Sequence, residues 1–106
     1  SEIPMERYPS NSLVDLYDII HKLMDAICLA QGVRFRGEGA HIELIEEVEQ
    51  SNLLTQQEYH LIKRIRVYRN RIQYEGFHVT QDFIMRNQKR LVQMIKRLDK
   101  HMEGLV

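Results

Sequence analysis

Four separate stretches of this chain place apolar residues three and four apart, and that period leaves little choice of architecture. In the first, Leu13, Leu16, Tyr17, Ile20, Met24 and Ile27 form one stripe, widened by Leu23 and Ala30. The second carries Ile42, Ile45 and Val48, with His41 on the same broad face. The third runs through Ile62, Ile65 and Ile72, and the fourth through Phe83, Leu91, Met94, Ile95, Leu98 and Met102. A 3.6-residue period is the signature of helices with one buried face. Such a face is stable only against another, so four of them predict an all-α, antiparallel four-helix bundle of the up-and-down kind.

Boundary signals agree with the stripes. Residues 1–11 read as an irregular lead-in, because Pro4 and Pro9 turn the residues before them away from helix. Ser10, Asn11 or Ser12 can then cap a helix over about 12–31. Gly32 to Gly39, the glycine-rich segment, reads as a turn before a second helix at 40–50. Thr55-Gln56-Gln57-Glu58 has the spacing of a capping box, with Leu54 placed to staple onto Tyr59. It opens a third helix, 56–75, which Gly76 can end. Thr80 and Asp82 suit the start of a fourth, 81–102, closed near Gly104. Residues 1–106 read as one domain.

Charge narrows the partners. The 15 Lys and Arg balance the 15 Asp and Glu, but not locally. Residues 1–50 hold ten acids against four bases (−6), and residues 51–106 hold eleven bases against five acids (+6). That polarity points either to contact between the halves or to a basic face for an anion. Arg34 and Arg36 could touch a polyanion, whereas Arg86, Lys89, Arg90, Lys96, Arg97 and Lys100 read as cations scattered over polar sides. The single Cys28 excludes a disulfide framework and suits a reducing cytoplasm. No apolar run has the length of a membrane span, so no membrane partner is expected. Nucleotide-binding glycine fingerprints, a nucleophile elbow and a metal-ligand constellation are all missing, so neither metal nor cofactor is called for.

One stretch stands out chemically. Five of the nine residues from Lys63 to Arg71 are cationic. At ~100° per residue, Arg69 falls in the middle of the apolar stripe made by Ile62, Ile65 and Ile72. A guanidinium there cannot shed its charge and must pair with an acid, line a wet cleft or hold an anion. Arg66, Asn70 and Gln73 occupy the neighbouring strip, while Arg71 points to the opposite side. Asn87 interrupts the fourth stripe in the same way, and Arg69 or Tyr74 could be its partner. Tyr17, His21 and His41 read as core or core-edge residues, with a cleft as the alternative for His41.

The Arg69-Asn70 pair on the third helix, followed by Tyr74 and Gly76, resembles the signature region of HEPN domains (higher eukaryotes and prokaryotes nucleotide-binding). The segment GVRFRGEGAH resembles the first inter-helix loop of that family, and the likeness extends over roughly residues 12–103. Many members are metal-independent ribonucleases with an Arg, four to six residues, then a His. Here the position five after Arg69 is Tyr74. Arg71 followed by six residues and His78 also meets the spacing.

The resemblance implies an RNA- or nucleotide-binding domain, a ribonuclease of the toxin type, with Arg69 stabilising phosphate and Asn70 positioning it. Arg66, Gln73 and Arg71 would be further phosphate contacts. His78, with an ordinary pKa near ~6.5, would suit a general base better than Tyr74, near ~10. Alternatively the chain is a non-catalytic helical adaptor, homodimeric or the partner of a nucleotidyltransferase antitoxin. A homodimer is expected, since Val14, Ile19, Ala26, Leu29 and Ile84 lie outside the main stripes; the alternative is a central first helix buried nearly all round.

Overall fold

The computed structural model describes residues 9–33 and 40–105. They form a four-helix bundle: α1 (Pro9–Ala30), α2 (Ala40–Gln50), α3 (Gln56–Glu75) and α4 (Gln81–Glu103). Among the described residues there is no strand.

α1 begins at Pro9, three residues before its expected start. Proline suits the first helical position, where its missing N–H would have no partner anyway, so Ser10 to Ser12 are helical rather than capping. Most of the lead-in lies outside the described residues, as do Arg34 and Arg36. At its other end α1 closes with Gly32 at φ +83° and the Val33 N–H returning to the Cys28 carbonyl at 2.8 Å. That left-handed turn satisfies carbonyls which would otherwise be unpaired.

The capping box at α3 is formed as expected. The Thr55 hydroxyl accepts from the Glu58 N–H (3.1 Å), and the Glu58 carboxylate accepts from the Thr55 N–H (2.8 Å). Arg97 of α4 donates to the same carboxylate at 2.5 Å. Beside it, the buried Tyr59 hydroxyl donates to the Val48 carbonyl (2.6 Å) and accepts from the Leu54 N–H (3.3 Å). Gly76 ends α3 in the left-handed conformation, φ +69°. Tyr68 then packs between Phe77 and Phe83, at 5.6 and 5.3 Å between ring centres, which pins the turn into α4.

α1 is the hub. It packs against each of the other helices, most extensively against α4. Leu13, Tyr17, Ile20, Met24 and Ile27 are buried against Ile45, Ile62, Ile65, Ile84, Leu91, Met94 and Leu98. The order of contacts gives the helix directions. Tyr17 and His21 meet His41 at the start of α2, while Ile27, Cys28 and Gln31 share a cleft with Glu47, Val48 and Ser51 at its end. α1 and α2 therefore run the same way. α3 opposes both, with Tyr59 at Val48 and Arg69 at Asp18, and α4 opposes α3, with Arg97 at Glu58 and Phe83 at Tyr68. Alternation thus holds for α2, α3 and α4, and the departure lies between α1 and α2.

Ile84, expected on an outer surface, is fully buried, because the inward arc of α4 centres on Ile84, Leu91 and Leu98. Ile19 and Leu29 are exposed as expected, and Val14 and Ala26 are half-buried. Cys28 is buried beside the cleft, and burial pushes its thiol pKa up, with Glu47 and Asp25 adding to the effect. It is a small, protonated core group.

Candidate functional site

Spacings of three and four along α3 bring Arg66, Arg69 and Asn70 to the side facing α1 and the start of α2. The Arg69 Nε lies 3.3 Å from an Asp18 carboxylate oxygen, one Nη lies 3.4 Å from the Asn70 side-chain oxygen, and the guanidinium carbon sits 6.0 Å from the centre of the Tyr17 ring. Arg69 thus meets an acid, but loosely. The Asp18 side chain is 39% exposed and that of Arg69 20%, so the pair is at a rim where water weakens it to about 1 kcal/mol or less. Two of its five N–H donors are used by described residues. Arg66 is further from satisfied: its Nε is buried and, among the described residues, has no hydrogen-bond partner. An orphaned buried donor costs about 1–3 kcal/mol unless a water or a ligand supplies the acceptor.

Facing these guanidiniums are groups that sequence reasoning assigned to the core. The Tyr17 hydroxyl is 3.0 Å from His41 Nδ1. The His21 and His41 rings stack at 4.0 Å between centres with 23° between planes, and Tyr17 lies 6.0 Å from His41. Burial lowers the pKa of His41, and the neighbouring His21, Arg69 and Arg66 lower it further against the opposing pull of Asp18. Burial also lowers that of His21, aided by Arg69 and opposed by Asp25 and Asp18. The Tyr17 phenol is pushed up to about 12, chiefly by burial, with Arg66 and Arg69 holding it down and Asp18 acting the other way. At neutral pH the cluster therefore holds two fixed positive charges, the Asp18 carboxylate, two uncharged imidazoles and a protonated phenol.

That combination can bind an anion and move a proton. An uncharged imidazole has one nitrogen lone pair free; the Tyr17 contact fits either tautomer of His41, the hydroxyl donating to Nδ1 or accepting from Nδ1–H. The guanidiniums supply donors of fixed geometry suited to phosphate oxygens. Among the described residues no set of three His, Cys, Asp or Glu side chains converges as a metal site would.

Of the residues singled out from sequence, Arg66, Arg69 and Asn70 come together here. Tyr74 projects into solvent, 81% exposed, and Gln73 and His78 are exposed as well. Arg71 faces outward as its helical phase required; it lies over the Phe77 ring at 4.2 Å and 3.9 Å from Glu75. Asn87 pairs with neither Arg69 nor Tyr74: its amide donates to the Phe83 carbonyl one turn back, at 2.8 Å. Tyr17, Asp18, His21 and His41 were missed as a group. The available signal was His21 one turn beyond Tyr17, both on the edge that a helix carrying Arg69 would have to cover.

The cations of α4 are not scattered. Arg86, Lys89, Arg90, Lys96, Arg97 and Lys100 are all exposed, on the side away from Ile84, Leu91, Met94 and Leu98.

Comparison of the chain with protein-family models, with curated proteins and with solved structures finds no match.

Proposed function

We propose that this chain is a HEPN-like domain that binds RNA through Arg66 and Arg69 and cleaves it without a metal, in the manner of a toxin-type ribonuclease. The observation that carries the reading is the buried Arg66 Nε with no partner, beside Arg69 and two imidazoles that burial keeps uncharged. A phosphodiester would supply the acceptor that the fold withholds.

On this reading the general base is His41 rather than His78 or Tyr74, which are exposed. In the tautomer that donates Nδ1–H to the Tyr17 hydroxyl, His41 Nε2 holds the lone pair that takes the ribose 2′-hydroxyl proton. The 2′-oxygen then bonds to phosphorus, the bond to the 5′-oxygen breaks, and that oxygen takes a proton from water. The products are a 2′,3′-cyclic phosphate and a 5′-hydroxyl. Arg66 and Arg69 hold the extra negative charge of the phosphorane, and Asn70 keeps Arg69 in place. His21, stacked on His41, is a positioning residue. The cytoplasm is the proposed location, since RNA is found there and a reducing compartment suits the lone Cys28.

Purified protein incubated with RNA and excess EDTA should yield cyclic-phosphate ends, and Arg69→Ala should not. Intact RNA with the wild-type protein would overturn the proposal. A second reading is supported by Ile19, Leu29, Val67, Tyr74 and Met85, large apolar side chains left in solvent. On that reading the chain is an adaptor, a homodimer or the companion of a nucleotidyltransferase, and co-purification in a stable complex without RNA cleavage would favour it.

A further inference from the structure

The outward face of α4 carries six cations, Arg86, Lys89, Arg90, Lys96, Arg97 and Lys100, all exposed. At ~100° per residue they fall within an arc of roughly 120°, with Gln93 between them. The acids of α4 are Asp82, Asp99 and Glu103; Asp82 holds Arg86 at 3.0 Å, and the other two lie beside the arc rather than in it. Arg97 reaches Glu58. Among the described residues, Lys89, Arg90, Lys96 and Lys100 have no ion-pair partner. Four like charges on one helix face repel one another, and among the described residues no ion pair offsets that.

We propose that this face is a track for the backbone phosphates of an RNA strand, separate from the Arg66–Arg69 cluster. The proposal deepens the RNA reading by naming a polymer, where the cluster alone would accept a mononucleotide. From Arg86 to Lys100 the track is about 21 Å long. A nucleic-acid strand carries one negative charge per nucleotide, so a strand laid along the track brings several phosphates within reach of these cations. A straight row of exposed Lys and Arg with no aromatic among them offers no base readout, so the contact is to backbone and independent of sequence.

The test uses the intact chain and a labelled twelve-nucleotide RNA that is 2′-O-methylated, so that binding is measured free of cleavage. Affinity is followed by fluorescence anisotropy from 50 to 200 mM salt for the wild type and for K89Q/R90Q/K96Q/K100Q, whose fold is checked by circular dichroism. Each phosphate contact on a single strand contributes about 0.7 to the slope of log affinity against log salt, so the four substitutions should flatten it by about 2.8. Over that range the wild type should lose about 50-fold more affinity than the variant. Equal slopes would overturn the proposal, as would a wild type that fails to bind at 50 mM salt. So would light scattering in which the substitutions dissolve a wild-type dimer while RNA affinity stays unchanged, because the occupant would then be the acidic face of a second copy. If unmethylated RNA stays uncut while the slopes still differ, the cleavage reading fails and the track stands.

Discussion

The molecule has two clusters of part-buried polar side chains, and they have opposite character. At the corner where α2 meets α3 and α4, every group is answered: Glu58 takes the Thr55 N–H and Arg97, and the Tyr59 hydroxyl bridges the Val48 carbonyl and the Leu54 N–H. Burial alone would raise the Glu58 pKa, but the hydrogen bonds from Thr55 and Arg97 outweigh it and leave it below the ordinary value. On the face of α1, α2 and α3, Arg66 has an orphaned donor, Arg69 holds Asp18 only loosely, and two imidazoles are kept uncharged among cations. The first arrangement is closed and stabilises the bundle. The second is open, at a cost that a bound anion would offset.

Substitutions can break that contrast or sharpen it. The largest effect is expected for Arg69→Ala, which should reduce RNA cleavage by about 10²–10³-fold, the usual loss for one donor to a developing oxyanion. Its melting temperature should hardly change, because the pair with Asp18 sits at a rim. A large fall in stability with cleavage intact would move the cluster into the structural class. Tyr59→Phe should do the reverse: about 1–3 kcal/mol lost in denaturant unfolding, since the Leu54 N–H loses its acceptor and the Val48 carbonyl keeps only its Ser51 donors, and no change in activity. Thr55→Ala should cost about 1 kcal/mol by the same measurement, through the cap alone.

Acid provides a milder probe. The folded-state pKa values of His21 and His41 lie below 6.5, so the unfolded chain binds protons first as the pH falls. Their contribution to stability is complete above pH 6.5 and is lost as the pH drops through and below that value. Melting temperatures between pH 7.5 and 5.5 should therefore decline, less steeply in His21→Gln and His41→Gln; identical slopes would mean that the stack is not what burial makes of it. Smallest of all, Arg71→Ala should leave cleavage unaltered and stability nearly so, because Arg71 lies over Phe77 in solvent.

What could be read from the sequence was local. The capping box of Thr55 and Glu58, the left-handed stop at Gly76 and the four buried stripes each depend on residues within a turn or two, and each is present. Arg69 was legible as an anomaly because helical phase alone puts it among isoleucines. The surroundings of Arg69 were not. His21 and His41 are twenty residues apart, and they stack only because α1 and α2 run the same way, a direction that no helical period encodes. Asn87 shows the same limit from the other side: a polar residue in an apolar stripe suggested a tertiary partner, yet its own helix provided one. The α4 cations, read as scattered, were in fact legible as one face, since helical phase alone gathers them opposite Leu91 and Leu98.

The widest interface of the bundle joins α1 to α4, the earliest described helix to the latest. On a ribosome, α1 emerges with Leu13, Tyr17, Ile20 and Met24 uncovered; α2 and α3 cover part of it as they are made, and the rest waits for some seventy residues of further synthesis before α4 can close it, several seconds at ordinary rates of about 5–20 residues per second. α3 and α4 meet chiefly at the Tyr68 cluster, so α4 is expected to dock last, on a surface that α1 already presents.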